Sequence, residues 1–354
     1  MARKAGISLR TIAEATGVSV VTVSRALNRD FLVDPKTAAR IQKAADKLGY
    51  KLPSQERRSV RIARGNTNDK ELRIRRFGFI IPDFIPDAFK TPLSRGLQKG
   101  IADYLFEKKI ELVHTHLDRN KNLPTILAKK EVDGYILKGV FSTIPLTKPQ
   151  LAQMGRFPHV SIFGQPPLTL SKSPKIIEDY ILPDDQLIGR IGLDRLVRAG
   201  VKKPLLISNR VGNVPLQEMP TFSRCSGFKY EADFQGIQYD SLEILTWDPT
   251  EIVSILERYM KKSGKPKGIF MTRPFPHMIE ALDRLKLTPE QGIHLYGPIS
   301  GLEDECAKLD MQGINLRPEA LGRAAAELLI WRINHPEMES KTILIPPELV
   351  HCKK

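Results

Sequence analysis

Residues 9–28, LRTIAEATGVSVVTVSRALN, constrain the fold of this chain more than any other stretch. Ala13, Gly17 and Val23 lie at relative positions 0, +4 and +10. A small residue permits two helices to touch, a glycine permits the positive φ of a tight turn, and a valine fills a small core. We therefore predict a helix-turn-helix whose second helix enters the DNA major groove. The alternative is a three-helix unit that packs against another part of the protein.

The outward face of the second helix is predicted to contact DNA. Ser19 stands where its hydroxyl can accept a free backbone N–H at the start of that helix. Val23 and Leu27 are four residues apart, so they share the buried face. Arg25 can pair with both acceptors of a guanine. The DNA-binding candidates of this segment are Ser19, Val20, Val21, Thr22, Ser24, Arg25 and Asn28.

A third helix is predicted between Asp34, a suitable N-cap, and Gly49, a suitable stop. Pro35 fits its first position. Apolar residues recur behind it at helical spacing, at Ala38, Ile41, Ala44, Ala45 and Leu48. This helix is expected to pack against the other two, although Thr37 near its start can hydrogen-bond a phosphate.

Positive charge is concentrated in the first fifth of the chain. The 354 residues carry a formal net charge of +15. Residues 1–76 hold 18 Lys and Arg against 7 Asp and Glu, which leaves a net charge of only +4 for the other 278 residues. Such a patch attracts phosphates in a salt-dependent manner. Because it lies on and beside the predicted reading helix, it favours double-stranded DNA as the partner.

Residues 51–76 form a connector that is rich in Arg and poor in large apolar residues. Such a segment cannot build a core of its own. Pro53 can begin a short helix that carries Arg57, Arg58 and Val60. The alternative is a flexible linker, which is the form that we expect in the absence of DNA.

Neither a signal peptide nor a membrane span is visible, because the N-terminus is polar and no apolar run approaches the length of a span. The three cysteines, Cys225, Cys306 and Cys352, are far apart, which argues against a disulfide framework or a zinc site. We expect a soluble, cytoplasmic protein.

No catalytic signature stands out. His114 and His116 alternate on a predicted strand and point the same way, but no third metal ligand lies at a useful spacing. A nucleophile elbow, a P-loop and a glycine-rich dinucleotide fingerprint are all missing from the sequence. The sequence predicts a protein that is not an enzyme and that uses neither a cofactor nor a metal.

From Phe77 onward, apolar strands alternate with helices. Strands are predicted at 77–84, 110–116, 132–140, 159–164, 180–183, 204–209, 242–247, 268–272, 293–297 and 342–346. Helices are predicted at 92–108, 123–130, 185–199, 223–234, 249–262, 276–286 and 318–333. This rhythm predicts an α/β core of two doubly wound parallel sheets, with ligands at the carboxyl ends of the strands.

The sequence GVSVVTVSRALN, followed by VDPKTAARIQKAADKLGY, resembles the headpiece of the LacI (lactose/galactose repressor) family. FGFIIPDF, VDGYIL, RCSGF and INLRPEALGRAAAELLIWRI fall, in order, where that family has counterparts. The resemblance implies a homodimeric repressor or activator on a roughly palindromic operator. It also implies a core similar to periplasmic sugar-binding proteins, with two lobes, three crossovers and an effector cleft.

The resemblance also implies where the domains begin and end. The headpiece is expected at 1–50, the hinge and linker at 51–76, and the core at 77–354. Within the core, the N-lobe is expected to hold about 77–164 and 298–334, and the C-lobe about 165–297 and 335–354.

Carried over by position, the resemblance implies DNA contacts residue by residue. Val20 and Val21 occupy the variable base-reading places, where they can touch a thymine methyl but cannot hydrogen-bond a base. Arg25 matches a base-reading arginine. Places that face phosphates or approach the DNA backbone are matched by Leu9, Thr22, Ser24, Asn28 and Thr37.

The connector departs from the family, whose hinge wedges a leucine into the minor groove. Arg57, Arg58 and Val60 stand in that place here. Val60 is shorter and β-branched, so it is a poorer wedge and a poorer helix former than leucine.

The effector cleft departs further. Arg224 matches an arginine that grips sugar hydroxyls, and Trp247 matches an aromatic residue that stacks on the ligand. Thr272 and Arg273 replace the usual Asn-Asp pair, and a ligand-gripping acid near Ile299 is missing, so we expect an acidic effector. The effector-binding candidates are Asp83, Phe84, Phe89, Lys138, Arg224, Trp247 and Arg273.

Other interpretations stay open at this point. Trp247 and Phe89 fit core packing, and Arg273 fits a surface or inter-lobe salt bridge. For the whole chain, two functions compete. One is a regulator that responds to a sugar, a sugar acid or a sugar phosphate, and the other is an architectural DNA-binding protein whose cleft binds nothing.

Overall fold

The structure is a computed structural model, and it describes residues 9–27, 34–48, 75–82, 91–117, 123–138, 153–163, 178–209, 220–299 and 302–351. The chain divides into two compact units, Met1–Glu71 and Leu72–Lys354. Each unit is described by itself.

The first unit contains the helices α1 (Leu9–Thr16), α2 (Val20–Leu27) and α3 (Pro35–Lys47). Gly17 has a φ of 67°, so the turn between α1 and α2 adopts the left-handed conformation that glycine permits. Asp34 caps α3 by accepting the backbone N–H of Thr37 at 3.1 Å. The three helices enclose a small core of Ile12, Ala13, Val23, Ala26, Leu27, Ile41 and Ala45.

The second unit is built on strands that run in chain order between helices. They are β1 (Arg76–Pro82), β2 (Glu111–Leu117), β3 (Gly134–Lys138), β4 (His159–Ile162), β5 (Asp179–Pro183), β6 (Leu205–Asn209), β7 (Asp240–Ile244), β8 (Gly268–Met271), β9 (His294–Pro298), β10 (Gln312–Asn315), β11 (Thr342–Ile345) and β12 (Glu348–His351).

Among the described residues these strands form two six-stranded sheets. The first has the order β11-β5-β4-β3-β1-β2 and is parallel throughout. The second has the order β12-β10-β9-β8-β6-β7 and is parallel except for the β10-β12 pair. The predicted α/β core with two doubly wound sheets is confirmed. We call the first sheet and its helices the N-lobe, and the second sheet and its helices the C-lobe.

Helices cover both sheets. They are α4 (Pro92–Glu107), α5 (Thr125–Ala128), α6 (Asp185–Arg198), α7 (Pro220–Gln235), α8 (Pro249–Ser263), α9 (Pro276–Arg284), α10 (Glu303–Lys308) and α11 (Pro318–Asn334). In the C-lobe, α6 and α7 pack backbone to backbone, because a Cβ on Gly227 would collide with the carbonyl group of Gln186. This close approach brings Arg224 of α7 to the start of α6.

Three short crossovers join the lobes, between β5 and α6, between β10 and α11, and between β11 and β12. Each crossover leaves the carboxyl end of a strand and enters the other lobe at its carboxyl edge, because α6 and α11 return toward the amino ends of the strands that they cover. The crossovers also contact one another, since the Asp184 N–H donates to the Ile345 carbonyl at 3.0 Å. The carboxyl edges of the two sheets therefore face each other.

The lobe boundaries differ from those expected. β5 and β11 pair within the first sheet, so 179–183 and 342–345 belong to the N-lobe and not to the C-lobe. Residues 298–299 and 302–315, expected in the N-lobe, lie in the C-lobe, because β10 pairs with β9 and β12. Strand pairing depends on neighbours that are distant in the chain, which local sequence patterns do not reveal.

Four described elements were not predicted, namely α10, β10, β12 and a single 3-10 turn at Pro289–Gln291, and the helix expected at 123–130 is a single turn, α5. These segments are short and carry no clear periodicity. Among the residues that the structure describes, no helix combines the length and the apolar character that crossing a membrane requires.

Candidate functional site

The exposed side of α2 begins with a capped turn. Ser19 Oγ accepts the backbone N–H of Thr22 at 3.1 Å and lies 2.8 Å from the Thr22 hydroxyl. Val20 is 42% exposed, whereas Val23 is fully buried. The helix thus holds its apolar side against the small core and presents Val20, the first predicted base-reading position, to the outside.

The remaining DNA-binding candidates divide into three groups. Leu9 is half-buried against the headpiece core, and the Thr37 hydroxyl donates to the Asp34 carboxylate at 3.3 Å, so both side chains also serve the fold. The backbone of three further candidates lies in α2, namely Val21, Ser24 and Arg25. Four candidates lie outside the described residues, namely Asn28, Arg57, Arg58 and Val60.

A second candidate site lies between the facing carboxyl edges of the two lobes. In each sheet the strand order reverses beside the first strand, as β2-β1-β3 and as β7-β6-β8. Ligands of open α/β sheets bind in the crevice at such a reversal. Lys138 ends β3 in the N-lobe, Asn209 ends β6 in the C-lobe, and Thr272 and Arg273 follow β8.

Arg224 is held at this edge by two partners. Its Nε donates to Asp185 Oδ1 at 2.8 Å, and its Nη1 donates to the Thr272 carbonyl at 2.8 Å. The side chains of Arg224 and Asp185 are only 7% and 12% exposed. Burial raises the pKa of Asp185 above its usual value, and the positive charge of Arg224 opposes that increase.

Asp185 is the acid that the sequence did not reveal. The sequence lacks a ligand-gripping acid near Ile299, and the prediction of an acidic effector treats the positive charge of Arg224 as uncompensated. The structure supplies the acid from the first turn of α6, 39 positions away from Arg224. The sequence feature that could have indicated this acid is the pair Asp184 and Asp185 at the start of a predicted helix. Such a pair is equally typical of an ordinary helix N-terminus.

Two further candidates, Trp247 and Arg273, lie together. The Arg273 guanidinium carbon is 5.9 Å from the centre of the Trp247 ring, which packs edge-on against Phe275 with 4.5 Å between ring centres. Trp247 is 38% exposed, which is not the burial of a core residue. Arg273 also keeps an exposed surface, yet loss of hydration, together with the charge of Arg224, lowers the pKa of its guanidinium.

On the N-lobe side, Lys138 is buried and its Nζ donates to Ser94 Oγ at 2.6 Å. Ser94 lies in the first turn of α4, which Thr91 caps by accepting the Ser94 N–H at 3.2 Å. Burial lowers the pKa of Lys138 to about 8. The other N-lobe candidates, Asp83, Phe84 and Phe89, lie outside the described residues.

Unpaired polar atoms mark the C-lobe edge. Asn209 is 2% exposed and Thr272 is fully buried. Within the described part of the chain, Asn209 Oδ1, Asn209 Nδ2 and Thr272 Oγ1 have no hydrogen-bond partner. Buried polar atoms are nearly always paired in folded proteins, so such a group at a crevice indicates a missing ligand or water.

The edge therefore combines an Arg-Asp pair, an aromatic plane, a buried amide and a lysine. These groups can hydrogen-bond a hydroxylated molecule and stack on its apolar face. Within the described ranges, no group of three His, Cys, Asp or Glu side chains could hold a metal ion.

Residues 8–53 match the family model of bacterial regulatory proteins of the lacI family. Over nearly the whole chain, the sequence is similar to the transcriptional regulator CelR of Thermobifida fusca, with 23% identity over 362 residues, 99% of this chain and 98% of CelR. It is similarly related to the ribose operon repressor of Escherichia coli K12, with 23% identity, 97% of this chain and 98% of the repressor.

Solved structures of two such regulators share the fold. A CelR-cellobiose complex matches with a TM-score of 0.60 and 22% identity over 98% of this chain and all of that chain. The lac repressor dimer bound to operator and the anti-inducer ONPF matches with a TM-score of 0.57 and 16% identity over 98% of each chain. At these identities the structural likeness shows the two-lobed fold alone.

The sequence comparisons and the geometry of the first unit agree. The match to the family model lies on the helix-turn-helix, where Gly17 and the Ser19 cap adopt the expected geometry. The similarity to the regulators named above then extends through both lobes. Residues 8–53 thus match a lacI-family DNA-binding domain, and the chain as a whole is similar to transcriptional regulators that combine such a domain with a two-lobed core.

Proposed function

We propose that this chain is a sequence-specific DNA-binding transcriptional regulator, a repressor, whose affinity for its operator is controlled by a sugar-class effector bound between the lobes. It acts as a homodimer in the cytoplasm. The observation that carries the proposal is the capped, outward-facing α2 of a headpiece whose residues 8–53 match the family model.

The headpiece supports DNA reading through its division into two faces. The apolar residues Val23, Ala26 and Leu27 pack in the core of the headpiece, so the opposite face of α2 is available to contact DNA. A single short helix contacts only one half-site, and useful affinity needs two headpieces on related half-sites. The lac repressor, a relative in fold, is a dimer on its operator.

The groups at the facing carboxyl edges support a sugar-class effector. Trp247 offers an exposed ring, and the Arg224-Asp185 pair offers both a donor and acceptors for hydroxyl groups. Relatives in fold hold cellobiose in one case and ribose in another. Because Asp185 compensates the charge of Arg224, an acidic effector is no longer required, and we favour a neutral sugar.

Coupling between the two sites follows from the connections. The chain enters the N-lobe at β1, where the Asp133 carboxylate accepts the backbone N–H groups of Arg75 and Arg76 at 2.8 and 3.0 Å. An effector that contacts both lobes favours their closed arrangement. Closure shifts the N-lobes of a dimer relative to each other. It therefore also shifts the two points at which the linkers join the N-lobes.

Selection from a library of random DNA duplexes with the full chain tests the DNA-binding half of the proposal. We expect enrichment of an inverted repeat, and anisotropy titrations should show weaker binding to a scrambled duplex. A library that stays unenriched would contradict sequence-specific binding.

The effector half is tested on the selected duplex with cellobiose, D-ribose, D-glucuronate and glucose 6-phosphate as probes. We expect a neutral sugar to change the DNA affinity in a saturable manner. The variant Trp247→Leu should keep the DNA affinity and lose the response. Unchanged DNA binding with every probe would favour an architectural protein.

A further inference from the structure

The side chain of Asn209 is an unused pair of hydrogen-bonding groups inside the C-lobe edge. The residue is 2% exposed, and neither its Oδ1 nor its Nδ2 has a partner among the described residues. Leaving a buried amide unpaired is unfavourable, so a fold that retains one indicates that something outside the folded chain completes it.

The neighbouring strands define the surroundings of Asn209. On one side, Asn209 is level with Ile244, a fully buried apolar residue at the end of β7. On the other side, Ile207 is level with Met271, and continuing that register by two residues places Asn209 beside Arg273. Asn209 thus lies at the strand-order reversal of the second sheet, at the edge that also carries Arg273.

The chemistry of a carboxamide limits what can complete it. It presents one acceptor oxygen next to one donor nitrogen, both of which are unpaired here. A carboxylate or a phosphate in its ionised form offers acceptors only and leaves the amide oxygen unpaired. Two neighbouring hydroxyl groups offer a donor and an acceptor on adjacent atoms and satisfy both atoms at once.

We infer that Asn209 is a specificity-determining residue that binds two adjacent hydroxyl groups of a neutral sugar. This inference rests on the proposed effector function, because it assigns a role within the same cleft. It assigns recognition of the diol to β6, whereas Arg224, Trp247 and Arg273 belong to α7 and to the turns that follow β7 and β8.

The first test needs no knowledge of the effector. Asn209→Leu replaces the amide by an apolar group of similar size in the full chain, and it should raise the melting temperature of the ligand-free protein by about 2–4 °C. Asn315→Leu is the matched control. Asn315 also ends a strand of the second sheet, but its Oδ1 accepts the Arg317 N–H at 2.8 Å, so its loss should lower the melting temperature.

A lower melting temperature for both variants would overturn the inference, because Asn209 would then serve the fold as Asn315 does. The second test compares D-ribose with 2-deoxy-D-ribose, and cellobiose with D-glucuronate, as stabilisers of both proteins. We expect the wild-type protein to prefer D-ribose, which has the 2-hydroxyl group, to 2-deoxy-D-ribose, and neutral cellobiose to D-glucuronate. Asn209→Leu should lose at least about tenfold in affinity for the preferred sugar.

Equal affinity of the wild-type protein and Asn209→Leu for a neutral sugar would overturn the role of Asn209 while leaving an effector-controlled regulator intact. A preference of the wild-type protein for glucuronate, which carries adjacent hydroxyl groups beside a carboxylate, would overturn the assignment of a neutral sugar. If no probe stabilises the wild-type protein and none alters DNA binding, the proposed effector control fails, and the melting comparison still decides whether the Asn209 amide is unpaired.

Discussion

Replacing Asp179 by asparagine should destabilise the core by about 3 kcal/mol, because it leaves a buried guanidinium without its counter-charge. Arg332 and Asp179 are 4% and 0% exposed, and they pair through two hydrogen bonds, from Nε at 2.6 Å and from Nη2 at 2.7 Å. The pair joins α11 to β5. Asp179 also accepts the Lys341 N–H at 2.7 Å just before β11. The elements that carry all three lobe crossovers are thus tied together at one carboxylate.

The magnitude follows from what the variant keeps. Breaking a buried ion pair by removing one partner costs about 3–5 kcal/mol. The lower end applies here, because Arg332 still donates to the carbonyl groups of His335, Met338 and Glu339 at 2.7–3.1 Å. The matched control is Asp194→Asn, which breaks an exposed pair with Arg198 and should cost less than about 1 kcal/mol.

Urea unfolding of the full chain measures both variants. Trp331 is one of only two tryptophans, and it lies beside the pair, with the Lys341 ammonium 3.3 Å from its ring centre. Its fluorescence should therefore report the loss of this cluster. Asp179→Asn and Asp194→Asn with equal free energies of unfolding would refute the reasoning, since burial would then make no difference to the value of the pair.

Three smaller predictions concern the headpiece and the cleft. Ser19→Ala removes the cap of α2 and should cost the headpiece about 0.5–2 kcal/mol in thermal unfolding, with no effect on the melting of the core. Arg25→Ala should lose about 1–3 kcal/mol of discrimination between the selected and a scrambled duplex. Arg40→Ala, at an exposed position of α3, should weaken binding to the two duplexes alike. Equal effects of the two variants on discrimination would contradict a base-reading role for Arg25. Burial lowers the pKa of Lys138 from 10.5 to about 8, so on raising the pH the folded protein releases this proton before the unfolded chain does. The free energy of unfolding should therefore rise between pH 8 and 10.5 relative to that of Lys138→Met. A difference in denaturant midpoint that stays constant over this pH range would contradict the burial of the charge.

The headpiece and the strand-helix rhythm could be predicted because their signals are local. Gly17 at the turn and Asp34 at the cap act within a few residues of their partners, and Ile41 follows the helical spacing of apolar residues within its own helix. The central strands are also local signals, since a strand buried on both faces reads as a continuous apolar run, as in β6.

The lobe boundaries and the roles of two cleft residues, Asp185 and Asn209, could not be predicted, because they depend on contacts between residues that are distant in the sequence. β11 belongs to the N-lobe only because it pairs with β5, and its own residues give no sign of that partner. Asp185 meets Arg224 only because α6 and α7 approach at Gly227. Asn209 reads as the polar end of a strand, and only its burial without a partner reveals a role.

The most direct test of effector control is the affinity of the stabilising sugar for the full chain, measured by calorimetry with and without the selected operator duplex. Two sites that share one conformational equilibrium must affect each other by the same factor. If the sugar weakens operator binding by a given factor, the operator must weaken sugar binding by that factor, and a scrambled duplex must not. A sugar affinity that is the same without DNA, with the scrambled duplex and with the operator duplex would contradict the proposal that the cleft between the lobes controls the headpiece.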